Sequence, residues 1–259
     1  MKYCVSGRQS ISVIAAADEI KMKYQDRNRA IDYITNFPDK TIIIEIPKDT
    51  IDVDWQLLQK YNEICTLVLC LYDLKDVAKC VNYNIKFYWA YPITSYYELK
   101  GILDLNPYYI LLGAPLSFEV ETIHNKTNAY IRLIANVAYN AYIPRENGVC
   151  GAWIRPEDVI YYEPYVNALE FDGVDLTAEK TLLHIYKDNK EWPGDLNFLI
   201  KNLNYNVDNR ALPDGFGSVR IRCGQRCMKN NICHYCESAF KYARIIQEKY
   251  NETKTKDHN

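Results

Sequence analysis

No run of roughly 18 uninterrupted apolar residues occurs in this chain, because Glu45, Asp73 and Arg132 break its greasiest stretches, and a bundle of membrane-spanning helices is thereby excluded. Charge of one sign is also missing. The 259 residues carry 31 basic and 33 acidic side chains, for a net charge of −2, so the chain is not a polyelectrolyte tail. The amino terminus has only Lys2 ahead of a short apolar stretch, Ile11 to Ala17, which runs into Asp18 and Glu19. That pattern lacks the basic start of a secretory signal, and export is not expected. No Gly-rich or Pro-rich linker divides the first 200 residues, and no repeat of fixed period, of the roughly 20 to 50 residues that mark solenoids, is evident. Histidine is scarce. His124 and His184 have no second histidine at ligand spacing, and no Ser-His-Asp or Cys-His arrangement is present, which disfavours proteolysis.

What is present supports a large buried core: 48% of the residues are hydrophobic. The nine cysteines are an odd number, and Cys4, Cys65, Cys70, Cys80 and Cys150 are scattered through apolar sequence as free thiols would be. A reducing, cytoplasmic setting follows as the expectation. The 23 tyrosines, with abundant Asn, Lys and Ile, read as the imprint of an AT-rich genome, and no chemistry is assigned to them. Charge is spread unevenly. Residues 220–259 hold nine basic against four acidic side chains, a local balance of +5 that leaves −7 on residues 1–219. Any attraction for RNA or single-stranded nucleic acid is therefore expected at the carboxyl end.

Short β-rich runs recur at Lys2 to Ser6, Glu19 to Tyr24, Thr41 to Ile46, Thr66 to Tyr72, Ile85 to Tyr91, Tyr108 to Gly113, Tyr130 to Tyr139 and Ala168 to Gly173. Helical spacing fills the gaps: Arg27 to Asn36, Val53 to Glu63, Leu74 to Asn82, Ser95 to Leu105 and Phe118 to His124. Asp26 and the Thr94-Ser95…Glu98 pattern supply capping chemistry. Eight strands joined by crossover helices predict an α/β protein, a (β/α)8 TIM-like barrel over residues 1–219. A helix at Ala178 to Asp188, another near Leu196 to Leu203 and the breaker cluster Pro213 to Gly217 precede a cysteine-rich module over residues 220–259.

Strand alternation sets which side chains point into the barrel. Ile20 and Met22, Ile42, Ile44 and Ile46, Ile131, Leu133 and Ala135, and Leu169 and Phe171 face the helices. That leaves Glu19, Lys21, Lys23, Glu45, Arg132, Asn136, Glu170 and Asp172 inside, where charges build either an ion network or a wet active-site mouth. Active sites on this architecture sit at the carboxyl ends of the strands, which singles out Lys23, Glu45, Asn136, Glu170 and Asp172. Glu45 or Glu170 fits a general base, and Lys23 an anion-binding or charge-neutralising group. Between strands seven and eight, Trp153 is a candidate for stacking on a ring and Arg155 for gripping phosphate or carboxylate. The alternative is that Pro156, Glu157 and Asp158 open a helix and Arg155 pairs locally.

Cys223, Cys227, Cys233 and Cys236, spaced C-x3-C-x5-C-x2-C with Gly224 and His234 among them, form the sharpest motif. Four thiolates on a short loop can enclose one Zn2+ or hold an iron–sulfur cluster; in an exported protein they would form disulfides instead. The spacing matches neither two C-x2-C zinc knuckles nor the C-x3-C-x2-C of radical enzymes, so the metal stays open. The segment Ile154-Arg155-Pro156-Glu157-Asp158 leading into Ala168 to Gly173, followed by Cys223, Cys227, Asn231, Cys233, Cys236 and Tyr242, resembles the peptidase U32 group. That resemblance implies a barrel, a four-cysteine iron–sulfur site and RNA-modifying hydroxylase chemistry. The chain departs from that group's pattern in the two-residue gap of its last cysteine pair and in Asn230-Asn231-Ile232, where the family has an arginine-glycine. The expectation is a metal-containing barrel enzyme acting on RNA or nucleotides. The competing expectation is a non-catalytic assembly protein of a phage or mobile element with a structural zinc.

Overall fold

Thr41–Ile46 shows why strands form here: a β-branched run whose Ile42, Ile44 and Ile46 project to one side and Ile43 and Glu45 to the other. The computed structural model describes residues 1–114, 116–137, 153–171, 180–203, 206–223 and 234–256, with side chains at 180–182 and 249–256 set aside. In chain order β1 (Lys2–Ser6), α1 (Ile11–Ala16), β2 (Glu19–Lys23), α2 (Asn28–Asn36), β3 (Thr41–Ile46), α3 (Trp55–Ile64), β4 (Thr66–Leu71) and α4 (Lys75–Asn82) come first. Then follow β5 (Lys86–Trp89), α5 (Tyr96–Leu103), β6 (Ile110–Leu111), α6 (Val120–Thr127), β7 (Ile131–Ile134), the short α7 (Val159–Tyr162), β8 (Ala168–Glu170) and α8 (Lys180–Lys187). Beyond these lie α9 (Phe216–Ile221) and α10 (Tyr235–Lys256).

All eight strands are parallel, in the order β5-β4-β3-β2-β1-β8-β7-β6. The two ends of that order meet through a parallel bridge between Tyr88 and Tyr109 and through Tyr108 N–H donating to the Phe87 carbonyl at 2.7 Å. The ring is thus a (β/α)8 barrel, nearly closed at the β5–β6 seam. Its outer layer packs Ile20, Met22, Ile42, Ile44, Leu67 and Leu69 against the helices. A second outer cluster joins Ile131, Leu133 and Leu169 to Trp153, Phe216 and Phe240, so α10 shares the barrel's core. Each fully buried aliphatic side chain stabilises the fold by about 1.5 to 3 kcal/mol.

Several local expectations change. The sixth strand shrinks to Ile110–Leu111, and Leu196 to Leu203 makes only a single 3-10 turn, Leu196–Phe198, initiated by the Asp195 carboxylate. Asp26 does not cap α2; it lies in a 3-10 turn and pairs with Arg8 at 3.3 Å. The capping box forms as read, with Ser95 and Glu98 bonding reciprocally at the start of α5. A fixed spacing does exist. Asn84, Asn106 and Asn128 all adopt left-handed φ near 50°, each closing one helix before the next strand, and they follow one another at 22-residue intervals. The regularity resides in chain length per strand-helix unit, which residue similarity did not reveal.

Candidate active site

The lumen divides into two halves. Towards β3, β4, β5 and β6 it is lined by Ile43, Val68, Cys70, Tyr88, Tyr109 and Leu111, whereas β2, β7 and β8 contribute charge. Arg132, fully buried, forms ion pairs with Glu19 and, at 3.2 Å, with Glu170. Its guanidinium lies 4.9 Å from the Tyr88 ring centre and 4.5 Å from that of Tyr109. Lys21 Nζ donates to Glu170 Oε1 at 2.7 Å, the Tyr109 hydroxyl donates to Glu19 at 2.7 Å, and Lys2 approaches Glu19 to 3.5 Å. Burial works against ionising Glu170, but Lys21 and Arg132 outweigh it and hold the carboxyl down to about 2. Burial also opposes the charge on Lys21, yet Glu170 keeps that ammonium's pKa well above its ordinary value. Both thiols beside this network stay neutral, since burial pushes Cys70 up to about 11 and Cys4 up to about 12.

These geometries sort the expected residues. Glu170 is engaged by two cations, Lys21 at 2.7 Å and Arg132 at 3.2 Å, which hold its carboxyl below the ordinary range, so its surroundings are those of an ion-pair partner rather than of the general base expected from its position. Lys21, ranked below Lys23 by position, is the lysine that meets Glu170, while Lys23 is exposed and forms no ion pair with another described residue. Glu45 is half-buried and accepts a short hydrogen bond from the Tyr72 hydroxyl; burial first, and then Glu45, raise the pKa of that phenol. Lys23 and Glu45 are register partners on neighbouring strands, at the carboxyl ends. Asn136 is buried, with its carbonyl accepting the Lys201 N–H at 2.8 Å. Asp172, Cys227 and Cys233 lie outside the described residues.

Trp153 does not serve as a stacking platform. It is 0% exposed, packed against Phe216 and Phe240 with the Arg220 guanidinium 4.0 Å above its ring. Arg155 spends its fork on Asp158, through bonds of 2.6 and 2.8 Å, and reaches Glu157 at 3.2 Å, so the local-pairing alternative describes it. Gly217 lets Asp158 sit there: a Cβ on Gly217 would fall 2.2 Å from the Asp158 carboxyl carbon. The hydroxyls and ring faces of Tyr72, Tyr88 and Tyr109 were missed because the tyrosines were set aside as composition. Their inward phase on β5 and beside β4 and β6 was the available signal.

Burial raises the Tyr162 phenol to about 12. Among the described residues no group of three or more potential ligands is placed to hold a metal ion. Nor is any described helix long and apolar enough to cross a membrane.

Fold and site together define an eight-stranded parallel α/β barrel with a partly charged lumen. No family model matches the chain, and no curated protein matches it. Among solved structures, a cube-shaped porous cage designed by fusing symmetric oligomeric domains is similar at 9% identity and a TM-score of 0.45, over 98% of this chain and 77% of that one. Phosphoribosyl anthranilate isomerase from Thermus thermophilus is similar at 14% identity and a TM-score of 0.48, over 73% and 98% respectively. A structure described as native KDPGal is similar at 9% identity and a TM-score of 0.46, over 73% and 90%. The barrel assignment itself rests on the strand order and ladders above.

Proposed function

We propose that this barrel is an enzyme whose reacting groups are Lys23 and Glu45 at the carboxyl-end mouth, acting on an RNA- or nucleotide-derived substrate. The carrying observation is their pairing in register at the ends of β2 and β3, with Lys23 exposed and Glu45 held by Tyr72, outside the ion network below them. Lys23 attracts an anionic group, and Glu45 exchanges a proton with the substrate while Tyr72 fixes its orientation. The RNA part of this reading draws on the U32-like segments and on the basic balance of residues 220–259.

Cys223, Cys227, Cys233 and Cys236 hold one metal centre in the same reading, either Zn2+ or an iron–sulfur cluster. The clustering of these four cysteines in the short span 223–236 is what supports it. A reducing cytoplasm suits the unpaired thiols of Cys4, Cys65, Cys70 and Cys80. Anaerobic purification with elemental analysis and an absorption spectrum tests the metal: a brown iron-containing or a colourless zinc-containing sample supports it, and a metal-free folded protein refutes it. Thermal-shift screening against nucleotides and short RNAs tests the mouth. Ligands that raise Tm for the wild type should lose that effect in Lys23→Ala and Glu45→Gln.

The buried Glu19–Arg132–Glu170 network, which commits both carboxylates to cations, favours a second reading, a non-catalytic assembly barrel with a structural zinc. In that case Lys23 and Glu45 variants leave biological function intact, whereas cysteine variants abolish folding or assembly.

A further inference from the structure

The opposite end of the barrel carries a basin of about 960 Å³ between the loops that lead into β5, β6 and β7. Its construction follows from the 22-residue interval. Each of Asn84, Asn106 and Asn128 closes a helix in the left-handed conformation, so one carboxamide per unit is delivered to this rim, and all three side chains are exposed. Asn62, one interval upstream, lines the same basin and donates to the Asn84 carbonyl at 3.1 Å. The backbone requires only a residue that tolerates positive φ, which glycine does at lower cost. Asparagine occupies every non-glycine left-handed position described, Asn189 and Asn202 included, so the turn conformation alone accounts for the residue type; what is particular here is that three such exposed carboxamides line one basin.

Two further features point to the occupant. Lys86 and Lys126 line the basin, and among the described residues no Asp or Glu does, although residues 1–219 as a whole carry −7. Tyr130, 56% exposed, and Tyr108 stand with ring centres 5.8 Å apart and tilted by 45°, and Lys86 Nζ lies 4.4 Å over the Tyr108 ring. Cationic groups, an open aromatic ring such as Tyr130 and carboxamides are the three partners that a nucleotide unit asks for, through its phosphate, the face of its base and the edge of its base.

We propose that this basin at the amino-terminal ends of β5, β6 and β7 binds a nucleotide unit, the base stacking on Tyr130 and the phosphate lying between Lys86 and Lys126. A free mononucleotide and a single strand present the same chemistry. The site is independent of the reaction proposed for the mouth and stands if that reaction fails.

The test uses the full-length protein, a fluorescein-labelled ten-residue uridine RNA read by anisotropy over a salt series, and unlabelled uridine monophosphate as competitor. Wild type should bind the RNA, with a salt dependence that two phosphate contacts produce, a slope of about −1.4 in log K against log salt. Tyr130→Ala should weaken binding about tenfold, and Lys86→Glu should flatten the salt slope. The triple variant Asn84→Gly, Asn106→Gly, Asn128→Gly keeps the turns and should fold with an undiminished Tm while binding several-fold more weakly. Competition by the mononucleotide at equal nucleotide concentration assigns a free nucleotide, its absence a strand, and either result supports the site. Absence of binding by wild type at low salt overturns the proposal. So does loss confined to Lys23→Ala, Glu45→Gln or charge reversal at Lys241 and Arg244, with Tyr130→Ala binding like wild type.

Discussion

Replacing Glu170 by glutamine removes the carboxylate that Lys21 and Arg132 share while keeping its shape. Glu170 is 5% exposed and its folded-state pKa is about 2, against 4.5 for the ordinary carboxyl. A depression of this size corresponds to about 3 kcal/mol of stability. Because the folded value is the lower one, that stability is fully present above the unfolded pKa and fades as pH falls towards the folded one. At pH 7 the variant should be less stable by about 3 to 5 kcal/mol, since half-buried Lys21 loses its ion-pair partner and buried Arg132 loses one of its two. Between pH 7 and pH 3 the difference between wild type and variant should shrink by about 2 kcal/mol. Urea denaturation of both proteins at pH 7, 5, 4 and 3 measures it. A difference that stays constant over that range would falsify the assignment of Glu170 as an ionised structural partner.

Other substitutions test neighbouring parts of the account. Gly217→Ala places a methyl group 2.2 Å from the Asp158 carboxyl carbon and should cost about 1 to 3 kcal/mol in urea denaturation. Gly101→Ala in α5 meets nothing within 4 Å and should gain about 0.5 to 1 kcal/mol, seen as a higher denaturation midpoint. Trp153→Ala empties the space between Phe216, Phe240 and Arg220 and should cost about 3 to 5 kcal/mol, with calorimetry as the check.

Strand phase was legible because apolar residues alternate so cleanly. The inward set of β2, β3, β7 and β8 was assigned from Ile20 and Met22, from Ile42, Ile44 and Ile46, and from Leu133 and Leu169, all of which do face the helices. Depth along the barrel axis was not legible. Lys21 and Lys23 share a phase, and only the stagger between β2 and β8, which no single strand encodes, decides that Lys21 meets Glu170. Trp153 and Arg155 misled for a related reason: a residue type suited to binding is equally suited to a buried corner when Phe216, Phe240, Arg220 and Asp158 converge on it from distant sequence. The tyrosines illustrate the converse. Their abundance reads as composition, yet Tyr88 and Tyr109 provide ring faces to Arg132, and Tyr72 and Tyr109 hydroxyls to Glu45 and Glu19.

The central claim is that the lumen's charges fall into a buried structural network and an open pair at the mouth. Urea denaturation at pH 7 of four single variants tests it most directly. Glu19→Gln and Arg132→Met should each lose about 3 to 5 kcal/mol, whereas Lys23→Ala and Glu45→Gln should stay within about 1 kcal/mol of wild type. Equal losses at both levels, or a larger loss at the mouth than at Arg132, would contradict the division.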